Sequence, residues 1–277
     1  MIKFSINTIK LFWLCLLISF CTSSCKSQKR TISEIKIEPI EFSRNCENTG
    51  SSLKYRLPIA KNYRQLDEII IKKLIDDDFF LFVNSDDLNE VNQKPLQEVI
   101  KYEFDLAKLN CNSDDALSTS KECDYEVYYN SSELISIQFS LATIQSGFDQ
   151  FYINLNYDIG KEEEIKLSDI IDYKGLDFLL KESNNEIDRI LENYLSDSQI
   201  DIEERNELKS LSSESDYKLS SDSLKDYSFL LINKNGKYGI ELDYDFPFDS
   251  RITNVLGKPE LFFDFSKIKR FLKIDLK

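Results

Sequence analysis

Residues 134–159, LISIQFSLATIQSGFDQFYINLNYDI, read as two strands joined through a short polar turn. In the first, Leu134, Ser136, Gln138 and Ser140 alternate with Ile135, Ile137 and Phe139. A period of two places the two sets on opposite faces of a sheet. After Ser146-Gly147, FYINLNYDI (151–159) supplies the second strand, rich in aromatic and branched residues that suit a pleated surface. Upstream, KYRLPIA (54–60) and YEVYYN (125–130) have the same character. Downstream, YSFLLINKNGKYGIELDYDF (227–246) reads as a hairpin that turns at Asn235-Gly236, and ELFFDFSKIKRFLK (260–273) as a strand running into a short helix.

Between these strands the period changes. In RQLDEIIIKKLIDDDFF (64–80), Leu66, Ile69, Ile70, Lys73 and Leu74 form one stripe of a helix. Pro95 sits where the first turn of a second helix begins, with Leu96, Val99, Ile100, Leu106 and Leu109 on one face and an end near Cys111. A third helix runs from Gly175 through Leu176, Leu179, Leu180, Ile187, Ile190, Leu191 and Leu195. The serine-rich stretch SLSSESDYKLSSDS (210–223) is expected to be a mobile loop. Strands and helices fall in separate groups, which predicts an α+β fold with a mainly antiparallel sheet.

The N-terminus carries a different message. In LFWLCLLISFCTSSCKSQKR (11–30) the apolar run from Leu11 to Cys21 is too short to cross a bilayer as a helix, which takes about 20 residues. Lys3 and Lys10 precede it, as in an export signal. Thr22-Ser23-Ser24-Cys25 then resembles a bacterial lipobox, because the peptidase cleft admits only small side chains before the cut. Phe20 disfavours Cys21, and Cys15 lies inside the apolar run. The resemblance implies cleavage after residue 24 and lipid attachment at Cys25. The protein is then expected in the cell envelope, held to a membrane through that anchor. With Lys26 rather than an aspartate after the anchor, the expected site in a two-membrane cell is the outer membrane, facing the periplasm.

Composition narrows the chemistry. Residues 1–24 hold two lysines and no carboxylate, so their removal takes the formal net charge from −14 to −16. Nucleic acid is an unsuitable partner for such a surface. The chain has no histidine, which excludes His-ligated metal sites and His-dependent nucleophilic machinery. Acidic runs abound (Asp76-Asp77-Asp78, Asp86-Asp87, Glu162-Glu163-Glu164, Asp243 with Asp245), but among 49 carboxylates pairs arise by number alone. Ser-x-x-Lys occurs at Ser51, Ser118, Ser215 and Ser266, as chance gives in a chain this rich in both residues. Asp243-x-Asp245-x-x-x-Asp249 lacks the glycine and the closing glutamate of a calcium loop. No catalytic residue, metal site or cofactor is expected. Cys111 and Cys123 bracket the polar NSDDALSTSKE, and a disulfide between them would stabilise by about 3 kcal/mol in the chain-entropy account. Cys46 with either of them is the main rival pairing, and three free thiols are the remaining alternative.

NLNYDIGKEEEIKLSDIID (154–172) resembles a stretch of the extracytoplasmic domain of RsiV-like anti-sigma factors, which also precedes the catalytic part of PdaC-type peptidoglycan deacetylases. YSFLLINKNGKYGIELDYDFPF and VLGKPELFFDFSKIKRFL are similar to the end of that domain, with Tyr244, Gly257 and Phe263–Leu272 at its recurring positions. YRLPIAKNYRQLDEIIIKKL (55–74) is similar to a small companion domain. The resemblance implies four parts: a signal at 1–24, a tether at 25–36, an N-terminal companion domain at 37–135 and a larger C-terminal domain at 136–277. It departs at Gly147-Phe148-Asp149-Gln150, where relatives carry a turn histidine. With ten residues before its apolar run, the chain is expected to lack a sigma-binding segment. The implied role is a non-catalytic binding or sensing module, for a basic protein such as lysozyme. A structural or peptidoglycan-associated role is the alternative, and a carboxylate hydrolase a more distant one.

Changing Cys25 to Ser should abolish fatty-acid labelling of the protein. Labelling that survives this change but is lost in Cys21→Ser would move the anchor to Cys21.

Overall fold

A computed structural model describes residues 34–46, 51–61, 63–77, 94–111, 120–144, 148–197, 200–214, 217–248 and 250–274. The signal segment and Cys25 lie outside the described residues, as do the side chains of Cys46 and Cys111. Residues 34–277 form one compact unit.

The fold is α+β, with two sheets among the described residues. The larger has six strands in chain order: β1 (Lys36–Cys46), β2 (Ser51–Lys61), β3 (Ser120–Asn130), β4 (Leu134–Ile144), β5 (Phe148–Asp158) and the short β6 (Glu163–Glu164). Every neighbouring pair is antiparallel except β2 and β3, which pair in parallel at Leu53–Lys121, Lys54–Glu122 and Tyr55–Cys123. A parallel pair needs a long crossover. Here α1 (Arg64–Asp76) and α2 (Leu96–Cys111) lie between the two strands in sequence.

Both helices bury part of the stripes expected of them; in α1 Ile69 and Lys73 are half-buried, and Ile71 and Ile75 are buried beside Leu66, Ile70 and Leu74. Leu66, Ile70, Ile71 and Leu74 of α1 and Leu96, Val99 and Ile100 of α2 are fully buried. So is one face of the sheet: Leu53, Tyr55 and Leu57 of β2, Ile135, Ile137, Phe139 and Leu141 of β4, and Leu155 and Tyr157 of β5. Inside this layer the Tyr55 hydroxyl donates to Glu103 at 3.1 Å and that of Tyr63 to the Ile159 carbonyl at 2.7 Å.

The second sheet has three antiparallel strands, β7 (Phe229–Lys234), β8 (Lys237–Leu242) and β9 (Leu261–Asp264). Asn235 and Gly236 make the β7–β8 turn with φ of 54° and 79°, which the Asn-Gly pair accommodates without strain. The long helix α4 (Tyr173–Ser196) follows the short α3 (Leu167–Ile170) and packs with this sheet. The Asp172 carboxylate caps α4 by accepting from the Gly175 N–H at 2.7 Å. A side chain at Gly175 would meet Ile171 and Phe271 at 2.5 Å, so only glycine permits this approach.

The two sheets meet through polar side chains. On the face of the six-stranded sheet away from α1 and α2, register sets Tyr129, Ser136 and Asn156 in one row and Glu126, Gln138 and Asn154 in the next. The Ser136 hydroxyl donates to Asn156 Oδ1 at 2.6 Å, and Asn156 Nδ2 donates to the Phe229 carbonyl at 2.7 Å. The Leu231 N–H in turn points at Ser136 Oγ, 3.2 Å away, and at Asn156 Oδ1 at 3.4 Å. One main-chain edge of β7 is therefore paired to side chains rather than to a strand.

Three expectations change. The end of the expected tether at 25–36 belongs to the folded unit: Ile35 is buried at 4% exposure and Lys36 opens the edge strand β1. Pro39 hides its alternation but is tolerated because an edge strand needs fewer main-chain donors. The boundary expected between residues 135 and 136 falls inside β4, at the centre of the large sheet. The serine-rich stretch is not simply a loop. Residues up to Glu214 belong to α5 (Ile202–Glu214), and Ser220 caps the short α6 (Ser221–Leu224). Between them the Asp188 carboxylate accepts from Tyr217 and Lys218, while Asn184 bonds both main-chain groups of Leu219 at 2.9 and 3.0 Å.

Replacing Asn156 with Ala should leave the buried Phe229 carbonyl without its donor and destabilise by on the order of 3 kcal/mol. In urea the midpoint should fall with the slope unchanged. Asn193→Ala on the exposed side of α4 should move it little.

Candidate functional site

Because β7 stands edge-on against the sheet, a cleft opens beside it. Its floor is the uncovered part of the polar face: Asp124, Glu126 and Tyr128 of β3, Gln138 and Ser140 of β4, and Gln150 and Tyr152 of β5. Its wall is the outward face of the second sheet, with Leu230, Ile232, Glu241 and Asp243, closed at one end by Lys258. The volume is about 490 Å³. Asp124, Ser140 and Gln150 are shared with a second groove of about 620 Å³ that continues toward β1 and β2, past Lys54, Arg56, Glu122 and Glu41. Together they form a trough along the open sheet face.

Strand geometry places each floor residue. A bulge in β3 between Val127 and Tyr129 inserts Tyr128 as an extra residue. It lets Glu126, opposite Gln138, and Tyr129, opposite Ser136, address the same face although they are three residues apart. Tyr129 is buried against Tyr238 at a ring distance of 5.6 Å, while Tyr128 stays in the cleft. Gln138 Nε2 donates to Asn154 Oδ1 at 3.0 Å, and Asn154 donates onward to Ser228 at 3.0 Å and Asp243 at 3.2 Å. Exposure increases along the floor from Asn154 at 7% to Tyr152 at 44%.

The cleft is acidic. Among the lining residues Asp124, Glu126, Glu241 and Asp243 outnumber one cation, Lys258, while Lys234 pairs with Glu241 at 3.7 Å and Arg56 with Asp124 from beside the cleft. The Lys258 ammonium is already bound to Asp243 and lies 5.9 Å from the Tyr152 ring centroid. Burial acts to lower the Lys258 pKa, but the Asp243 carboxylate outweighs it and holds the group above the ordinary lysine value. Arg56, at the junction of the two grooves, is held by Asp124 and stacks 4.9 Å from the Tyr125 ring centroid. The Tyr128 hydroxyl points at Gln138 Oε1, 3.5 Å away, and burial first, with the nearby Glu126 carboxylate second, pushes the phenol up to about 12. Such a lining offers carboxylates to cations, and phenol and amide groups to hydrogen-bonding surfaces.

Of the residues singled out from the sequence, Cys123 is a free thiol at 4% exposure beneath the trough, and its expected partner Cys111 ends α2 with a side chain outside the described residues. Asp243 lies in the cleft, but its partners are Lys258 and Asn154, and Asp245 is exposed. Among the described residues no group of three or more His, Cys, Asp or Glu could hold a metal ion. Asp76 and Asp77 lie at the end of α1, away from this cleft. The residues named by resemblance are structural. Asn156 holds β7, Asp158 caps the following turn by accepting from Gly160 and Lys161, and Asp169 accepts from the Lys166 N–H. Tyr244 is buried with its hydroxyl bound to the Tyr217 carbonyl, and Gly257, at φ 73°, ends α7 (Ser250–Leu256). The cleft itself went unread. Its one signal is the run of uncharged polar residues, Ser136, Gln138, Ser140, Asn154 and Asn156, on central strands whose other face is apolar.

The arrangement is that of an α+β domain with an open polar sheet face. No family model and no curated protein matches the chain. Solved structures do resemble it, among them two DUF3298 proteins. A DUF3298 family protein from Pseudomonas aeruginosa PAO1 is 12% identical, with 88% of this chain and 96% of that one covered at a TM-score of 0.53. A DUF3298 family member from Bacteroides fragilis NCTC 9343 is 14% identical over the same shares, at a TM-score of 0.49. The first likeness shows the fold, which is shared with a protein from a family of unknown function. Among the described residues no helix is long and apolar enough to cross a membrane.

Exchanging Glu126 for Gln should lower the apparent pKa of Tyr128 below about 12, while burial, the larger cause, keeps it above the ordinary tyrosine value near 10. Ultraviolet titration with Tyr128→Phe as the subtraction blank would resolve the shift.

Proposed function

We propose that the protein is a lipid-anchored module of the cell envelope that binds a ligand without transforming it, and that the ligand is a basic protein. The cleft carries this reading: four carboxylates converge on a polar floor whose lysine is already engaged. The lipobox-like segment ending at Cys25 supports the location, and the charge of −16 after its cleavage supports the sign of the partner. The shared fold is compatible with the resemblance of residues 154–172 to lysozyme-binding anti-sigma factors. A cationic cell-wall hydrolase such as lysozyme is the first partner to test. Long-range attraction speeds encounter, but specificity requires a shaped contact that outlasts screening.

Residues 34–277 should bind lysozyme at 0.15 M salt, where charges act over about 8 Å, while an unrelated protein of equal acidity should not. Glu126→Lys should weaken binding about tenfold, as loss of a close charge pair does, and Glu203→Lys on the exposed face of α5 should not, although both change the net charge equally. Equal weakening by both variants, or equal binding by the control, would remove the cleft from the proposal. A second reading rests on the tyrosine and amide side chains of the floor, which suit a glycan. Co-sedimentation with purified peptidoglycan, lost in Tyr152→Ala, would favour it.

A further inference from the structure

We infer that the outer edge of β5, over residues 150–154, takes an extended basic segment of a partner protein as an added strand. The argument starts from main-chain alternation. The Asn156 carbonyl accepts from the Ile165 N–H on the β6 side. Successive residues of a strand send their main-chain groups to opposite sides, so those of Gln150, Tyr152 and Asn154 point the same way as those of Asn156. Among the described residues, β6 pairs with this edge at Tyr157 and Asp158 only. The β4 ladder uses the other edge, in unbroken register from Leu134–Asp158 to Ile144–Phe148.

Sheets normally blunt such edges with charge, proline or a bulge. The opposite edge does so: β1 carries Lys36, Glu38, Pro39, Glu41 and Arg44. Residues 150–154, Gln-Phe-Tyr-Ile-Asn, carry no charge and no proline, and Phe151 and Tyr152 are 40% and 44% exposed. A concavity of about 430 Å³ follows this edge, lined by Phe151, Tyr152, Ile153, Asn154 and Ser228 and by the last turn of α1. That helix end fixes the occupant's charge. Of its lining residues Lys73, Asp76 and Asp77, the lysine is already held by Asp77 at 3.4 Å and Glu164 at 3.1 Å. The negative end of the helix dipole adds to the excess of carboxylate, and Asp149 is exposed beside it. A basic strand complements this rim. A second copy, itself carrying −14, does not.

This site shares Gln150 and Tyr152 with the cleft floor but uses their outward main-chain groups rather than their side chains, and its test separates the two. The probes are two ten-residue peptides, one alternating Lys with Val and one alternating Glu with Val, added to residues 34–277. The basic peptide should shift the amide signals of Gln150, Tyr152 and Asn154 and slow their hydrogen exchange, and the acidic peptide should not. Gln150→Pro deletes an outward N–H that the β4 ladder does not use, and Phe151→Lys adds a guarding charge to the edge. Each should weaken binding about tenfold or more. If the proline variant loses the β4–β5 amide pattern, the lysine variant alone decides. Shifts confined to Gln138 and Ser140, equal response to both peptides, no response, or the same shifts produced by concentrating the protein alone would each overturn the inference.

Discussion

Two side chains, Ser136 and Asn156, hold one sheet against the other. They present a donor and acceptors to β7, whose Phe229 carbonyl and Leu231 N–H would otherwise be buried without partners. Apolar packing alone attracts without choosing a register. This contact chooses one, because a slip of one residue would turn the unsuitable edge groups of β7 toward Asn156. Around it lies the core of the second sheet: Leu231, Ile240, Leu242 and Phe265 with Leu179 and Ile187 of α4. The same contact explains why the sheet face is only partly covered. Since β7 arrives edge-on, it shields Ser136 and Asn156 but leaves Ser140, Tyr152 and Gln150 open. The cleft is a by-product of how the seam is built.

Much of this was legible in the residues and some could not be. β4, β5, the Asn-Gly hairpin and helices α1, α2 and α4 announce themselves because each satisfies one period over many residues. α5 does not. Among its described side chains Leu208 alone is fully buried, packed with Leu191 and Ile252, while Ile202 is exposed and Leu211 only partly buried, so no apolar stripe repeats. β1 failed for a different reason: proline at its centre and charges along its length are what a guarded edge needs and what a strand search rejects. The NYD stretch was noticed as a family-like string, yet the work of Asn156 became visible only with β7 in place, 73 residues away. The cleft is harder still. Its lining comes from five strands and the residues that follow them, and each lining residue taken alone is an ordinary surface residue.

The polar row on the sheet runs as a gradient. At one end Ser136 and Asn156 are dry and fully bonded, and at the other Gln150 and Tyr152 are wet. Groups near the dry end are positioned by their neighbours. Gln138 is fixed by Asn154, which is fixed by Ser228 and Asp243. A ligand entering from the wet end therefore meets donors and acceptors already oriented, which lowers the entropy lost on binding.

The parallel junction between β2 and β3 has a consequence for cooperativity. Three residue pairs join the β1–β2 hairpin to the remaining sheet, against eleven pairs between β4 and β5. Among the described residues the other ties across that line include the Ser52 N–H to Ser120 Oγ at 3.0 Å, Asn130 to the Ile35 carbonyl at 2.9 Å, Arg56 to Asp124 and Tyr63 to Ile159. A structure of this kind fails by units rather than all at once. The hairpin joins the sheet through few main-chain pairs, so Leu53, Tyr55 and Leu57, buried against the helices, do most to hold it, and the second groove lies across the same line. Here local stability and the geometry of a surface groove are one quantity: whatever clasps the hairpin to β3 also sets the width of the groove.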